Sequence, residues 1–158
     1  MGDKLIITRR GSRLGSLQEQ DLIETGIDRN DRNTPLASVE LPVHRAIYQQ
    51  TSAQAIVHAH LPHGVALSMT EDEIIPNGGE GLEEIKRVPV IGKDMDTSPG
   101  HLGEQIAEAL KSNHIALVCG HGSFATGQLL EEAYQYTAAL EECCQVIWLV
   151  KTLKKKSL

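Results

Sequence analysis

Apolar stretches alternate along the chain with loops rich in polar residues, glycine and proline, and their spacing predicts both strands and helices. A β-branched run predicts a strand at residues 5–8 that starts the sheet, followed by a turn at 9–12. Further strands are predicted at 53–60, 74–75, 88–91 and 114–119. The last of these is the most strand-like segment of the chain.

The remaining apolar positions have helical spacing. Ser38 is expected to cap a helix that runs through Tyr48, with Pro42 in the first turn, where a missing amide proton is harmless. Helices are also predicted around 65–69, from about 100 to 111, and from about 128 to 153. The last is apolar on much of its circumference and should be buried or pack against a neighbour. Strands and helices mix without a regular βαβ rhythm, which predicts a three-layer α/β arrangement around a mixed or antiparallel sheet.

The composition is that of an ordinary globular protein, and 158 residues predict one domain over 1–158. A net charge of −6 and only 3% aromatic residues argue against nucleic acid as a partner. No apolar run approaches the roughly 20 residues of a membrane span, and residues 1–4 lack a signal-peptide pattern. We therefore expect no membrane partner. Three cysteines without CxxC spacing fit a reducing compartment, and a cytoplasmic location is expected.

The histidines give the main indication of chemistry. His58 and His60 are two apart on a predicted strand, so their imidazoles project to the same face. Alone, this spacing also fits two polar residues at a strand end. His121 strengthens the metal interpretation because it ends another strand between two glycines that allow close backbone approach. Three imidazoles with one open position are typical of catalytic zinc.

Glu40 and His44 lie four residues apart on a predicted helix and therefore share a face. Without the other histidines they would be interpreted as a surface pair. Near a metal, Glu40 is expected to act as a fourth ligand or as the catalytic base. His44 is expected to pack beside the ligands, whereas His63, His101 and His114 are left outside the site.

In four segments the chain resembles the class II aldolase/adducin family, in the family's order and over most of its length. They are residues 5–11, residues 38–40 with His44 and Tyr48, residues 57–62, and residues 120–122 with Gly127 and the helix after it. The resemblance implies a divalent metal on His58, His60 and His121, with Glu40 both contacting the metal and acting as acid and base. It also implies an α/β/α fold and a cyclic homotetramer with active sites at subunit interfaces.

The function implied by this resemblance is a metal-dependent aldolase. Such enzymes cleave a small ketose phosphate to dihydroxyacetone phosphate and an aldehyde through a metal-stabilised enediolate. Zinc is the expected ion, with manganese, cobalt and iron(II) as the other candidates. Sugar-phosphate epimerisation or dehydration on the same fold, and a non-catalytic assembly role as in adducin, remain as alternatives.

The sequence departs from the family pattern around the phosphate pocket. It begins at the strand of Leu5, so the family's first helix and its Gly-Asn phosphate loop are not expected in this chain. Val39 replaces one of two common serines, which leaves Ser38, and Arg10 stands beside Gly11 in the phosphate turn. We expect Arg10, Gly11 and Ser38 to bind the substrate's phosphate. The family's tyrosine proton donor, expected near residues 78–79, has no counterpart.

Overall fold

The computed structural model of the chain describes residues 3–76, 85–93 and 99–155. The strands and α-helices in these ranges are, in chain order, β1 (Lys4–Thr8), β2 (Leu22–Gly26), α1 (Leu41–Gln50), β3 (Ala55–Ala59), α2 (Pro62–Ser68), β4 (Glu73–Ile74), β5 (Val88–Ile91), α3 (Pro99–Leu110), β6 (Ile115–Val118), β7 (Gly122–Gly127) and α4 (Leu130–Lys155). The predicted elements are present with ends shifted by a few residues, whereas β2 and β7 were not predicted.

Five strands form a mixed sheet in the order β3-β7-β6-β5-β4. Only β5 and β6 are parallel, and the other neighbours are antiparallel. The prediction of a mixed sheet is therefore confirmed. Strand β1 instead pairs with β2 in a separate two-stranded sheet, so the prediction that it starts the main sheet is wrong. The unpredicted β2 gives β1 a partner close in sequence, which costs less loop entropy than a distant one.

Helices cover both faces of the main sheet. On β6, Ala116 and Val118 pack with residues of α1 and α3, while Ile115 and Leu117 pack with residues of α2 and α4. All four side chains are buried, and burial of a large aliphatic side chain stabilises the fold by roughly 1.5–3 kcal/mol. This arrangement confirms the three-layer α/β/α prediction.

The small sheet is joined to the start of α1. Its inward side chains form a third cluster with residues of the segment that leads into the helix; the members are Leu5, Ile7, Ile23, Ile27, Ala37 and Leu41. The Arg45 guanidinium donates hydrogen bonds to the carbonyl of Gly26 at 2.8 and 2.9 Å and to that of Arg29 at 3.0 Å. The loop after β2 is thereby fixed to α1.

The segment before α1 differs from the predicted cap. Helix α1 begins at Leu41, so Glu40 and not Ser38 occupies the cap position, with Pro42 in the first turn as predicted. The Ser38 hydroxyl accepts a hydrogen bond from the Glu40 amide at 3.3 Å, and the Ser38 carbonyl accepts one from the Leu41 amide at 3.1 Å. Ser38 therefore stabilises the turn before the helix, and the Glu40 carboxylate makes no capping hydrogen bond.

Helix α4 is buried along one stripe and exposed over much of its last turns. Ala133, Leu140 and Cys144 have no exposed surface, and their spacing keeps them on one side of the helix. Several large apolar side chains farther along remain exposed, namely Val146, Trp148, Leu149, Val150 and Leu153. Among the described residues, no helix combines the length and the apolar character needed to cross a membrane.

A single carboxylate on α4 holds the start of α2. Glu141 accepts hydrogen bonds from the His63 and Gly64 amides at 3.2 Å and contacts His63 Nδ1 at 2.7 Å. The amides at the start of a helix lack partners within the helix, and a carboxylate is a favourable acceptor for them. Glu141 thus fixes α2 to α4 only a few residues after His60.

We predict that Glu141→Ala lowers the free energy of unfolding by about 2 kcal/mol, because hydrogen bonds to a charged group are lost. Chemical denaturation followed by circular dichroism measures this change. The neighbouring Glu142 is exposed, so Glu142→Ala is the matched control and should leave the midpoint unchanged. Equal stability of the two variants would contradict the capping role of Glu141.

Candidate metal centre

Three imidazoles converge at one end of the main sheet. His58 and His60 extend from the end of β3, and His121 lies in the turn between β6 and β7. Each pair of rings has a centroid separation of 5.0 Å. One ring nitrogen from each histidine lies within 4.8 Å of the other two. The structure therefore brings together the three histidines that the sequence singles out.

The spacing of these nitrogens fits a metal ion. A tetrahedral zinc ion with bonds of about 2.0–2.1 Å keeps its ligand atoms roughly 3.3 Å apart. The Nε2 atoms of His58 and His60 are 3.2 Å apart. Nitrogen is a preferred zinc donor, and a set of three imidazoles leaves one coordination position for another group. The donor set and its spacing both fit a divalent ion.

Glu40 lies beside the three imidazoles. Its Oε1 atom is 3.8 Å from His121 Nε2, and its side chain is only 22% exposed. Since the carboxylate does not cap α1, it remains available on the side of the cluster next to His121. The arrangement can therefore offer a carboxylate oxygen either to an ion or to a proton on a bound molecule.

The ring of His58 is oriented by two contacts from β7. His58 Nδ1 lies 2.9 Å from the Ser123 carbonyl, which acts as an acceptor, so this nitrogen carries the proton and Nε2 presents its lone pair to the cluster. The ring also stacks on Phe124, with centroids 4.2 Å apart. Desolvation lowers the pKa of His58 to about 4, with smaller contributions from the neighbouring His121 and His60 and against the opposing effect of the hydrogen bond to Ser123. His58 is therefore neutral at pH 7, as a metal ligand must be.

His44 lies outside the group of convergent ring nitrogens. It packs edge-on against Phe124, with ring centroids 5.9 Å apart. Desolvation lowers the pKa of His44 to about 4, with a smaller contribution from His58. Phe124 therefore contacts two neutral imidazoles, those of His58 and His44. Its contact with His44 supports the expected packing role of His44.

Gly122 allows the two strands that carry the ligands to approach closely. A Cβ atom at this position would lie 2.5 Å from the Ala59 carbonyl oxygen and 2.9 Å from His60 Cδ2. Both distances are far inside van der Waals contact, and one partner is backbone that cannot move aside. A glycine is required here for His60 and His121 to share one site.

The three residues expected to bind phosphate lie on two adjoining segments. The Arg10 amide donates to the Leu36 carbonyl at 2.9 Å, and the Ser38 amide donates to the Thr8 carbonyl at 2.9 Å. These hydrogen bonds hold the turn that contains Arg10 and Gly11 against the segment that leads to Glu40. Residues 78–79, where the family's tyrosine is expected, lie outside the described residues.

Reasoning from sequence missed the groups that orient the ligands. Ser123 and Phe124 lie on β7, whose sequence is short, contains small residues and is bounded by glycines. Its one usable signal is the aromatic Phe124 and the β-branched Thr126, which follow shortly after His121. Since β7 pairs with β3 through residues far apart in sequence, local pattern alone does not reveal this partnership.

Comparison with known proteins identifies the relatives of this chain. The family model described as class II aldolase and adducin N-terminal domain matches residues 1–148. An L-fuculose phosphate aldolase from Methanococcus maripaludis is 29% identical, covering 97% of this chain and 83% of the relative. A methylthioribulose-1-phosphate dehydratase from Acidiphilium cryptum is 30% identical, covering 88% of this chain and 72% of the relative.

Longer proteins and solved structures are also similar to this chain. A probable bifunctional methylthioribose-1-phosphate isomerase/methylthioribulose-1-phosphate dehydratase from Nocardia farcinica is 26% identical over 92% of this chain, which spans 30% of that protein. The crystal structure of L-fuculose-1-phosphate aldolase from Thermus thermophilus superposes with a TM-score of 0.86 and 34% identity, covering 95% of this chain and 80% of that one. The chain belongs to the class II aldolase and adducin family.

Proposed function

We propose that this protein is a metal-dependent aldolase that cleaves a small ketose phosphate to dihydroxyacetone phosphate and an aldehyde. The observation that carries the proposal is the convergence of His58, His60 and His121 with the Glu40 carboxylate at their side. All four residues required for metal-assisted chemistry are present. The names of relatives that act on sugar phosphates support the same substrate class.

We propose that His58, His60 and His121 hold one divalent ion, with zinc preferred and manganese, cobalt or iron(II) as other candidates. A bound ion would act as a Lewis acid toward the hydroxyl and carbonyl oxygens of the substrate. The chain's own part is to present three nitrogen donors at one point. The Ser123 carbonyl and the Phe124 ring orient the His58 ring.

Metal content provides the first test of this centre. We predict that the protein binds about one ion per chain, and that His58→Ala or His121→Ala removes most of it, because two imidazoles are a poor zinc site. Elemental analysis of protein without a histidine tag measures the ratio. His114 is exposed and outside the cluster, so His114→Ala is the matched control. Metal retained by both cluster variants would refute the ligand assignment.

Glu40 is proposed as the group that moves the proton during carbon–carbon bond formation and cleavage. In the condensation direction its carboxylate takes a proton from the hydroxymethyl carbon of dihydroxyacetone phosphate. In cleavage the substrate hydroxyl that becomes the aldehyde carbonyl gives up its proton as the carbon–carbon bond breaks, and the carboxylic acid form of Glu40 gives one proton to that same carbon, so the proton count balances. The position of Glu40 beside His121, at 3.8 Å, supports a role next to the reacting atoms.

Hydrogen exchange on dihydroxyacetone phosphate tests this role without any knowledge of the aldehyde. We predict that the protein catalyses exchange of one carbon-bound hydrogen with D₂O, and that Glu40→Gln slows it by roughly 10²–10⁴ because the base is lost. Proton NMR follows the exchange, elemental analysis should show retained metal, and Glu142→Gln serves as the control. An unchanged rate in Glu40→Gln would exclude Glu40 as the base.

Arg10, Gly11 and Ser38 are proposed to bind the phosphate of the substrate. The hydrogen bonds that hold their turn against the segment leading to Glu40 support this proposal. Arg10 is exposed and offers a planar set of charged donors that suits phosphate or carboxylate oxygens. The guanidinium therefore favours an anionic substrate on the Glu40 side of the centre.

Dehydration or epimerisation of a sugar phosphate is the second candidate, because the same donor set can serve it and the names of two relatives include a dehydratase. Product analysis by NMR separates the reactions. Water loss from a ketose phosphate, without exchange on dihydroxyacetone phosphate, would favour the dehydratase. A chain that binds metal but acts on neither compound would favour an adducin-like assembly role.

We propose a homotetramer with active sites at subunit interfaces, and the exposed apolar surface of α4 supports self-association of the chain. We predict that light scattering after size exclusion gives four times the 17.2 kDa chain mass. The double variant Leu149→Glu/Leu153→Glu should lower this mass, because charge opposes burial of the exposed face. Leu14 is 65% exposed on another surface, and Leu14→Glu is the control. A monomeric parent protein would contradict the assembly.

We also propose a cytoplasmic location. Cys119, Cys143 and Cys144 form no disulfide. Cysteines retained without disulfides are typical of a reducing compartment.

A further inference from the structure

A buried hydroxyl on α2 contacts the turn that carries His121. Ser68, the last residue of α2, has no exposed surface. Its hydroxyl accepts a hydrogen bond from the Gly120 amide at 3.0 Å and donates one to the Val65 carbonyl at 2.7 Å. The hydroxyl therefore links the end of α2 to the residue immediately before His121.

The turn that Ser68 contacts has a specific backbone conformation. Gly120 has a φ of +69°, in the left-handed region that favours glycine. The His121 amide donates to the Val118 carbonyl at 3.0 Å, which closes the turn from within. The hydrogen bond from the Gly120 amide to the Ser68 hydroxyl fixes this turn to the end of α2, which is 52 residues away in sequence.

Helix α2 also begins next to a second histidine of the cluster. Its first residue, Pro62, follows His60 by two positions, and Glu141 on α4 fixes its first amides. One short helix thus connects the segment that carries His60 to the turn that carries His121. A rigid connection of this kind sets the distance between the two segments.

We infer that Ser68 is a positioning residue for His121. By holding the Gly120 amide, it fixes the Cys119–Gly120 peptide and thereby the turn that directs the His121 imidazole toward His58 and His60. This role rests on the proposed metal centre, because a fixed direction of the His121 ring matters only if the three nitrogens bind the same metal ion. Hydrogen bonds behind metal ligands typically change metal affinity by roughly 10–100-fold when removed.

Ser68→Ala is the informative change because it removes the acceptor oxygen and almost no volume. Because Gly120 is itself exposed, the expected consequence is a reoriented turn rather than an unfolded chain. Thr137→Val is the matched control. Thr137 is buried, and its hydroxyl donates only to the Ala133 carbonyl of its own helix at 2.8 Å.

Two measurements test the inference. In metal-free protein, hydrogen exchange at the Gly120 amide should become faster in Ser68→Ala and stay unchanged in Thr137→Val. Zinc affinity, measured by competition with a chromophoric chelator, should fall by roughly tenfold or more in Ser68→Ala. The visible spectrum of the cobalt(II)-loaded protein should change in Ser68→Ala only, because it reports the geometry of the ligands.

The outcomes separate this inference from the proposed activity. Unchanged zinc affinity and an unchanged cobalt spectrum in Ser68→Ala would overturn the positioning role, whatever the amide exchange shows. Absence of metal binding by the parent protein would overturn the centre and this role together. Absence of aldolase activity in a parent protein that binds zinc would overturn the proposed activity. The role of Ser68 would still be tested by zinc affinity and the cobalt spectrum.

If Ser68→Ala does not fold, Gly120→Ala provides the second test. Its added Cβ meets no atom within 4 Å, so it strains only the backbone of the same turn while the Ser68 hydroxyl remains. Zinc affinity should again fall, because the turn can no longer keep its conformation at low cost. Full affinity in Gly120→Ala would show that the turn does not position His121.

Discussion

Antiparallel pairing between β3 and β7 holds the candidate centre together. Its register sets His58 opposite Phe124 and Ala59 opposite Ser123, so the Ser123 carbonyl lies where His58 Nδ1 requires an acceptor. A slip of one residue would turn His58, and with it His60 just after the strand, to the other face of the sheet. The close approach at Gly122 and the turn of His121 depend on the same register. The orientation of the ligands is thus a property of the sheet as much as of the histidines.

The rest of the fold keeps this register in place. The central strands β6 and β7 are buried on both faces, under α1 and α3 on one side and α2 and α4 on the other. A strand that is covered on both faces cannot shift without exposing apolar side chains to water. The two-stranded sheet adds a separate requirement, since its contact with the start of α1 determines where Glu40 lies. The carboxylate and the imidazoles are therefore held by different parts of the molecule.

Much of the site was predictable from the sequence because its signals are local. His58 and His60 show their common face by spacing alone, and His121 is marked by flanking glycines after a strongly apolar strand. The mixed sheet and the helices on both of its faces also followed from local patterns. The contacts that orient the ligands were not predictable, because Ser68 and Ser123 act on residues 52 and 65 positions away. The start of α1 was misplaced because Ser38 resembles a cap, while its bond stabilises the preceding turn.

The neutrality of His58 has an electrostatic consequence for the whole protein. Neutral imidazoles add no charge to a bound divalent ion, and one carboxylate cancels only half of its charge. The loaded centre would therefore be positive, within a chain whose net charge is −6. The positive potential of such a site is limited to its surroundings. It favours the approach of an anion to this end of the sheet, whereas the net negative charge of the chain repels the anion elsewhere. An anion would thereby be guided to the site by contrast of charge rather than by a broadly basic surface.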